Sequence, residues 1–124
     1  MKNIISTQNA PSAIGPYSQA VQFGNTLYCS GQIGLDPVSM QLREGLEAQV
    51  VQAFSNLLAV AQQAGYGPAD AVKCTLFLVN MADFAVVNEK MQQFFAQPYP
   101  ARSTVAVAAL PKGAVFEIEA VFCR

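Results

Sequence analysis

The order of hydrophobic patterns along this chain predicts an α+β fold in which two helices cover one face of a mixed sheet. Three observations carry that prediction. Two stretches place apolar residues at helical spacing, β-rich runs lie before, between and after them, and no third helical stretch is left to cover the sheet's other face.

Taken in order, residues 18–35, SQAVQFGNTLYCSGQIGL, read as two strands folded about a Gly24-Asn25 turn. Within the second strand, Ser30-Gly31 marks an interruption where a ligand can come close to the backbone. The segment REGLEAQVVQAFSNLLAVAQQAG then puts Leu46, Val50, Ala53, Phe54, Leu57, Leu58 and Ala61 on one helical face and stops at Gly65, a natural C′ residue. DAVKCTLFLVN is a buried strand. In MADFAVVNEKMQQFFAQ, Asp83 is the expected N-cap, and Phe84, Val87, Met91, Phe94 and Phe95 form an apolar stripe that ends before Pro98. The last two strands, 103–110 and 114–122, are joined by PKGA with Pro111 and Gly113 as turn residues. The predicted order is β-β-α-β-α-β-β in a single domain spanning 1–124.

Composition narrows the function. The 124 residues are 52% hydrophobic and only 12% charged, about half the usual charged fraction of roughly 25%. A surface so poor in charge is normally covered by another subunit or a ligand, so the helix-free sheet face is the expected contact of a homo-oligomer. The net charge of −1, with lysines and arginines scattered, offers no basic stripe for nucleic acid. No stretch is apolar for long enough to be a signal peptide or membrane span. Cys29, Cys74 and Cys123 are odd in number and not in a CxxC pair, which suits reduced thiols in the cytoplasm. With no histidine, Ser-His-Asp and Cys-His nucleophile schemes are excluded, along with the commonest zinc ligand. Carboxylates, arginine, tyrosine, hydroxyls and backbone groups remain.

Strand alternation sorts these groups by face. Arg102, Thr104, Ala106 and Ala108 share one face, whose small residues would leave room in front of the guanidinium. On the last strand Phe116, Ile118, Ala120 and Phe122 face the core, and Glu117 and Glu119 face away from it. Pairing across the PKGA turn would leave Glu117 several residues from Arg102, so their convergence depends on assembly.

The motifs IGPYSQAV, SGQI, DFAVVNEKMQQFF and PARSTVAVAALPKGAVFEIEAV resemble, in register from about residue 3 to the C-terminus, the RidA/YjgF family of reactive-intermediate imine deaminases. The resemblance implies a chorismate-mutase-like α+β fold and homotrimers with a site in each inter-subunit cleft. It also implies hydrolysis of 2-imino acids to 2-keto acids and ammonia without a cofactor. Carried over by motif, Arg102 binds the substrate carboxylate, Glu117 positions water, and Tyr17 lines the cleft as part of the catalytic set. Ser30 and Gly31 add substrate contacts, and Asn88 supports the site. Thr104 stands where many members carry cysteine; the contact attributed to that position is a backbone carbonyl to the substrate nitrogen, which threonine keeps. Ala106 replaces the family's usual glutamate, and nothing physical accounts for that loss.

These roles suit the residues. Arginine's planar fork binds a carboxylate through two charge-assisted hydrogen bonds, which lysine does not reproduce. A protonated imine carbon is already electrophilic, so one glutamate acting as general base can suffice. The competing expectation is a non-catalytic trimer that holds small carboxylates in its clefts and reports on metabolism. RNA cleavage, attributed to relatives, is the weakest reading given the charge balance.

Overall fold

Strands and helices follow one another as β1 (Lys2–Ile5), β2 (Ala20–Phe23), β3 (Thr26–Ile33), α1 (Leu46–Gln63), β4 (Ala71–Leu78), α2 (Phe84–Phe94), β5 (Ala101–Ala106) and β6 (Phe116–Cys123) in a computed structural model that describes Met1–Arg124. The strands form one sheet in the order β1-β2-β3-β6-β4-β5, with only β4 and β5 parallel. Both helices pack on the same face.

Local signals account for most of the boundaries. Gly24 takes φ +61 at the first central position of the two-residue turn, where a type II′ hairpin favours glycine, and β2 and β3 pair on either side of it. α1 ends as expected: Gly65 is left-handed at φ +86, and the Tyr66 amide reaches back to the Ala61 carbonyl at 2.9 Å. The buried side of α1 contains the apolar stripe and also Gln49 and Asn56. Asn56 is fully buried and donates to the carbonyls of Ile33 and Leu35 at 3.2 and 2.9 Å, fixing the end of β3. Phe54 lies at the centre of the core, 5.2 Å from the Phe94 ring, 5.9 Å from Phe95 and 5.5 Å from Phe116.

Four expectations are corrected. β1 was absent from the predicted order, because KNII is too short to show a period and becomes a strand by pairing with β2. β5 stops at Ala106. β5 and β6 do not form a hairpin: β4 lies between them, so residues 107–115 connect two non-adjacent strands. Finally, Asp83 occupies the N-cap of α2 without a capping hydrogen bond from its side chain. The side chain that caps is Asn80, which accepts from the Ala82 amide at 3.0 Å and starts the short 3₁₀ turn that leads into α2.

The sheet face opposite the helices is bare in this chain. Ile4, Phe23, Tyr28 and Val105 project from it with 53, 59, 53 and 41% of their surface exposed, an apolar area of the kind that subunits cover.

Candidate active site

Arg102 and Thr104 on β5 stand level with Cys74 and Leu76 of β4, both buried beneath the helices. The two side chains therefore leave the sheet on its helix-covered side. There the guanidinium meets one face of α2, formed by Phe84, Asn88 and Met91 at i, i+4 and i+7. Its Nη1 donates to Asn88 Oδ1 at 2.5 Å and to Met91 Sδ at 3.7 Å, and its Cζ lies 5.1 Å from the centre of the Phe84 ring. The space expected in front of the guanidinium is thus partly filled by α2. Alternation identifies a strand's face but not the helix that packs on it.

The chain's ion pairs are Arg43–Asp36, Lys90–Glu47 and Arg124–Asp70, none of which involves Arg102. Its positive charge is held by an amide, a thioether and an aromatic face, all of them neutral. With Asn88, Met91, Gln92, Tyr99 and Pro100 it lines a cavity of about 450 Å³. Thr104 follows on the same face, its buried Oγ1 without a hydrogen-bond partner. The Val107 amide donates to the Leu78 carbonyl of β4. Alternation then turns the backbone groups of Thr104 the other way, outward from this edge strand.

Glu117 belongs to a different place. On β6 it stands level with Phe77, and Glu119 with Thr75, so both project to the helix-free face as expected. The register of β3 against β6 shifts between Cys29 and Gln32, and Gly31 sits in that irregularity. A Cβ at position 31 would collide with the Glu117 carboxyl. Glu117 therefore already requires Gly31 to lack a side chain. Half-buried there, the Glu117 carboxyl is pushed above the ordinary carboxylate range, first by burial and then by the neighbouring charge of Glu119.

Tyr17, Ser30, Gly31, Glu117 and Glu119 line one cavity of about 590 Å³. The Tyr17 hydroxyl oxygen accepts from the Ile14 amide at 3.2 Å, leaving its proton for a ligand. Ser30 Oγ already donates to the Ser18 carbonyl at 2.6 Å, so toward a ligand it can act only as an acceptor.

The expected residues fall into two groups, Arg102, Thr104 and Asn88 in one and Tyr17, Ser30, Gly31 and Glu117 in the other. Arg102 and Glu117 lie two strands apart, offset by three residues and on opposite faces, which places their Cα atoms about 14 Å apart from standard strand spacing and rise. Lys112 was missed by sequence reasoning. It lines the Glu117 cavity from a left-handed turn at φ +59, and only Gly113 beside it hinted at that backbone. Phe84 and Met91 were read as core stripe, and their spacing around Asn88 was the signal for the arginine cradle. No group of three or more His, Cys, Asp or Glu side chains could hold a metal ion.

The fold is that of a known class. The family model described as Endoribonuclease L-PSP matches residues 7–123, and the chain belongs to that family, the RidA/YjgF proteins. Among its relatives, a 2-iminobutanoate/2-iminopropanoate deaminase of Dermatophagoides farinae is 50% identical over 97% of this chain and 94% of its own length. The crystal structure of RidA from an Antarctic Psychrobacter superposes with a TM-score of 0.97 at 50% identity, covering 98% of this chain and 99% of that one. Escherichia coli TdcF, crystallised with bound serine, gives a TM-score of 0.94 at 39% identity, covering 98% of each chain. The chain has the chorismate-mutase-like α+β fold that the resemblance implied.

Proposed function

We propose that this protein is a hydrolytic deaminase of small 2-imino acids, yielding 2-keto acids and ammonia. In this reading it is a cytoplasmic homotrimer whose sites form between subunits and need no cofactor. The observation that carries it is Arg102, a guanidinium fixed by neutral groups alone, so that its charge stays available to a carboxylate. The deaminase name borne by relatives about 50% identical over nearly the whole chain supports the same reaction.

The chemistry follows from the two groups of residues. Arg102 takes the substrate carboxylate in a bidentate pair, and the outward Thr104 carbonyl accepts from the imine nitrogen. Glu117 removes a proton as water adds to the imine carbon, and the C=N electron pair moves to nitrogen. Glu117 then returns that proton to the amine; as the C–N bond breaks and ammonia leaves, the carbinolamine hydroxyl passes its own proton to the freed Glu117 carboxylate and its oxygen closes to the ketone. The Tyr17 hydroxyl donates to the oxygen developing on that carbon. A carboxylic acid with raised proton affinity suits both halves of this exchange.

Within one chain the sheet separates Arg102 from Glu117, so a complete site requires Arg102 of one subunit beside Glu117 of another. The bare apolar sheet face supports such an assembly. The test mixes the protein with a serine or threonine dehydratase and its substrate, traps free imine with semicarbazide and measures keto acid. Wild type reduces the trapped fraction and Arg102→Ala does not. Co-expressing Arg102→Ala with Glu117→Ala regains about one quarter of wild-type activity, because half of the arginines then meet the half of neighbours that retain the glutamate. No regain overturns the shared site. Carboxylate binding without any acceleration would favour the non-catalytic carrier instead.

A further inference from the structure

We propose that Gln19 is a positioning residue for Tyr17, acting by fastening residues 7–17 along the wall of the Glu117 cavity. Gln19 belongs to the IGPYSQAV motif, yet the reaction gives it no role. It is 4% exposed. Its Oε1 accepts from the Thr7 amide at 2.7 Å, and its Nε2 donates to the carbonyls of Thr7, Ala10 and Pro11 at 3.1, 3.3 and 2.8 Å. Its own carbonyl accepts from the Ser30 amide at 2.9 Å, tying the same residue to the bulge beside Gly31.

The segment it holds has no other hydrogen-bonded anchor along residues 7–13: the remaining bond there, from the Asn9 amide to Thr7 Oγ1, is internal. Pro11, Ser12, Ile14 and Tyr17 of this segment all line the Glu117 cavity. Tyr17 is in turn bonded only to its own turn, through the Ile14 amide to its hydroxyl and its own amide to the Gly15 carbonyl. The turn that carries the phenol is therefore placed by two clamps, Gln19 on its N-terminal side and the Ser30 hydroxyl on the Ser18 carbonyl at the other. A buried amide that satisfies four backbone groups fixes one arrangement, and replacing it frees the segment rather than the core.

The proposal rests on the deaminase reading for its kinetic arm and on exchange for its structural arm. Tyr17→Phe is measured in wild type and in Gln19→Leu, with amide hydrogen exchange recorded on each. If Gln19 acts through Tyr17, the tyrosine substitution lowers kcat/KM about tenfold in wild type and less than about twofold once Gln19 is gone, a non-additivity that loss of global stability alone would not produce. In Gln19→Leu, protection is lost at the Thr7 amide and falls at the Asn9, Ile14 and Tyr17 amides, the bonded amides of the segment, while β3 and β6 keep theirs. Equal factors in the two backgrounds, including no effect of Tyr17 in either, overturn the proposal, and so does unchanged protection of 7–17. Should Gln19→Leu fail to fold, Gln19→Met carries the same cycle, since its unbranched side chain is close to glutamine in length and removes the amide without adding a charge. A wild type without deaminase activity sinks the function and leaves the exchange experiment to decide the role of Gln19.

Discussion

Arg102 and Glu117 are both charged residues on strands, yet their surroundings treat the charge in opposite ways. Around Arg102, α2 supplies Asn88, Met91 and Phe84, which orient the guanidinium without cancelling it. Around Glu117, burial beside a glycine bulge and then the charge of a second carboxylate raise the proton affinity of the group. Orientation is what a permanently charged binder needs, whereas tuning is what a proton carrier needs.

The contrast is broken hardest at Glu117. Glu117→Gln lowers kcat/KM about 1000-fold, within the usual range for a lost general base, while inhibition by a 2-keto acid persists. The wild-type pH–rate profile has an acid limb whose apparent pKa lies above the ordinary glutamate value of 4.5. Stability carries the same sign. The folded state binds this proton more tightly than the unfolded chain does, so the stability Glu117 contributes is fully present below 4.5 and is lost as pH rises through the elevated value. Urea unfolding from pH 4 to 8 shows it as a stability difference, wild type minus Glu117→Gln, that shrinks as pH rises.

The next effect sharpens the arginine side. Asn88→Asp places a carboxylate where the neutral amide now accepts from Arg102, and the resulting internal ion pair raises KM about 10- to 100-fold without lowering Tm. Asn88→Ala loosens the guanidinium but leaves its charge, so a KM increase at least as large as that of Asn88→Asp would show that orientation alone matters. Gly31→Ala forces the Glu117 carboxyl off the bulge and lowers kcat about tenfold, with KM changed little. The smallest effect lies outside both groups. Burial pushes the Cys29 and Cys74 thiols up to about 12 and about 11, so a thiol reagent at neutral pH spares both in the folded protein and reacts at the partly exposed Cys123.

Much of this was legible in the chain. The helical stripe of α1, the Gly24-Asn25 turn, the glycine stop at Gly65 and the outward face of Glu117 and Glu119 all follow from periods and turn residues within a few positions of one another. Reading β5 and β6 as a hairpin failed because PKGA carries good turn residues, and turn chemistry does not say which strands flank it in the sheet. Lys112 and Phe84 escaped for a related reason: one was read as part of a connection and the other as core, and neither reading depends on what packs against it. Gln19 looked like an ordinary polar residue at a strand entrance, with nothing local to show that four backbone groups converge on it.

By itself the sequence determined the faces, because a side chain's direction on a helix or strand is set by the 3.6- and 2-residue periods of its own backbone. Only the tertiary structure decided the neighbours. Insertion of β4 between β5 and β6, the seat of α2 on Arg102 and the fit of Glu117 over Gly31 join segments far apart in the chain. Such contacts are fixed by which surfaces bury one another, a property of the whole packed sheet that no local period encodes.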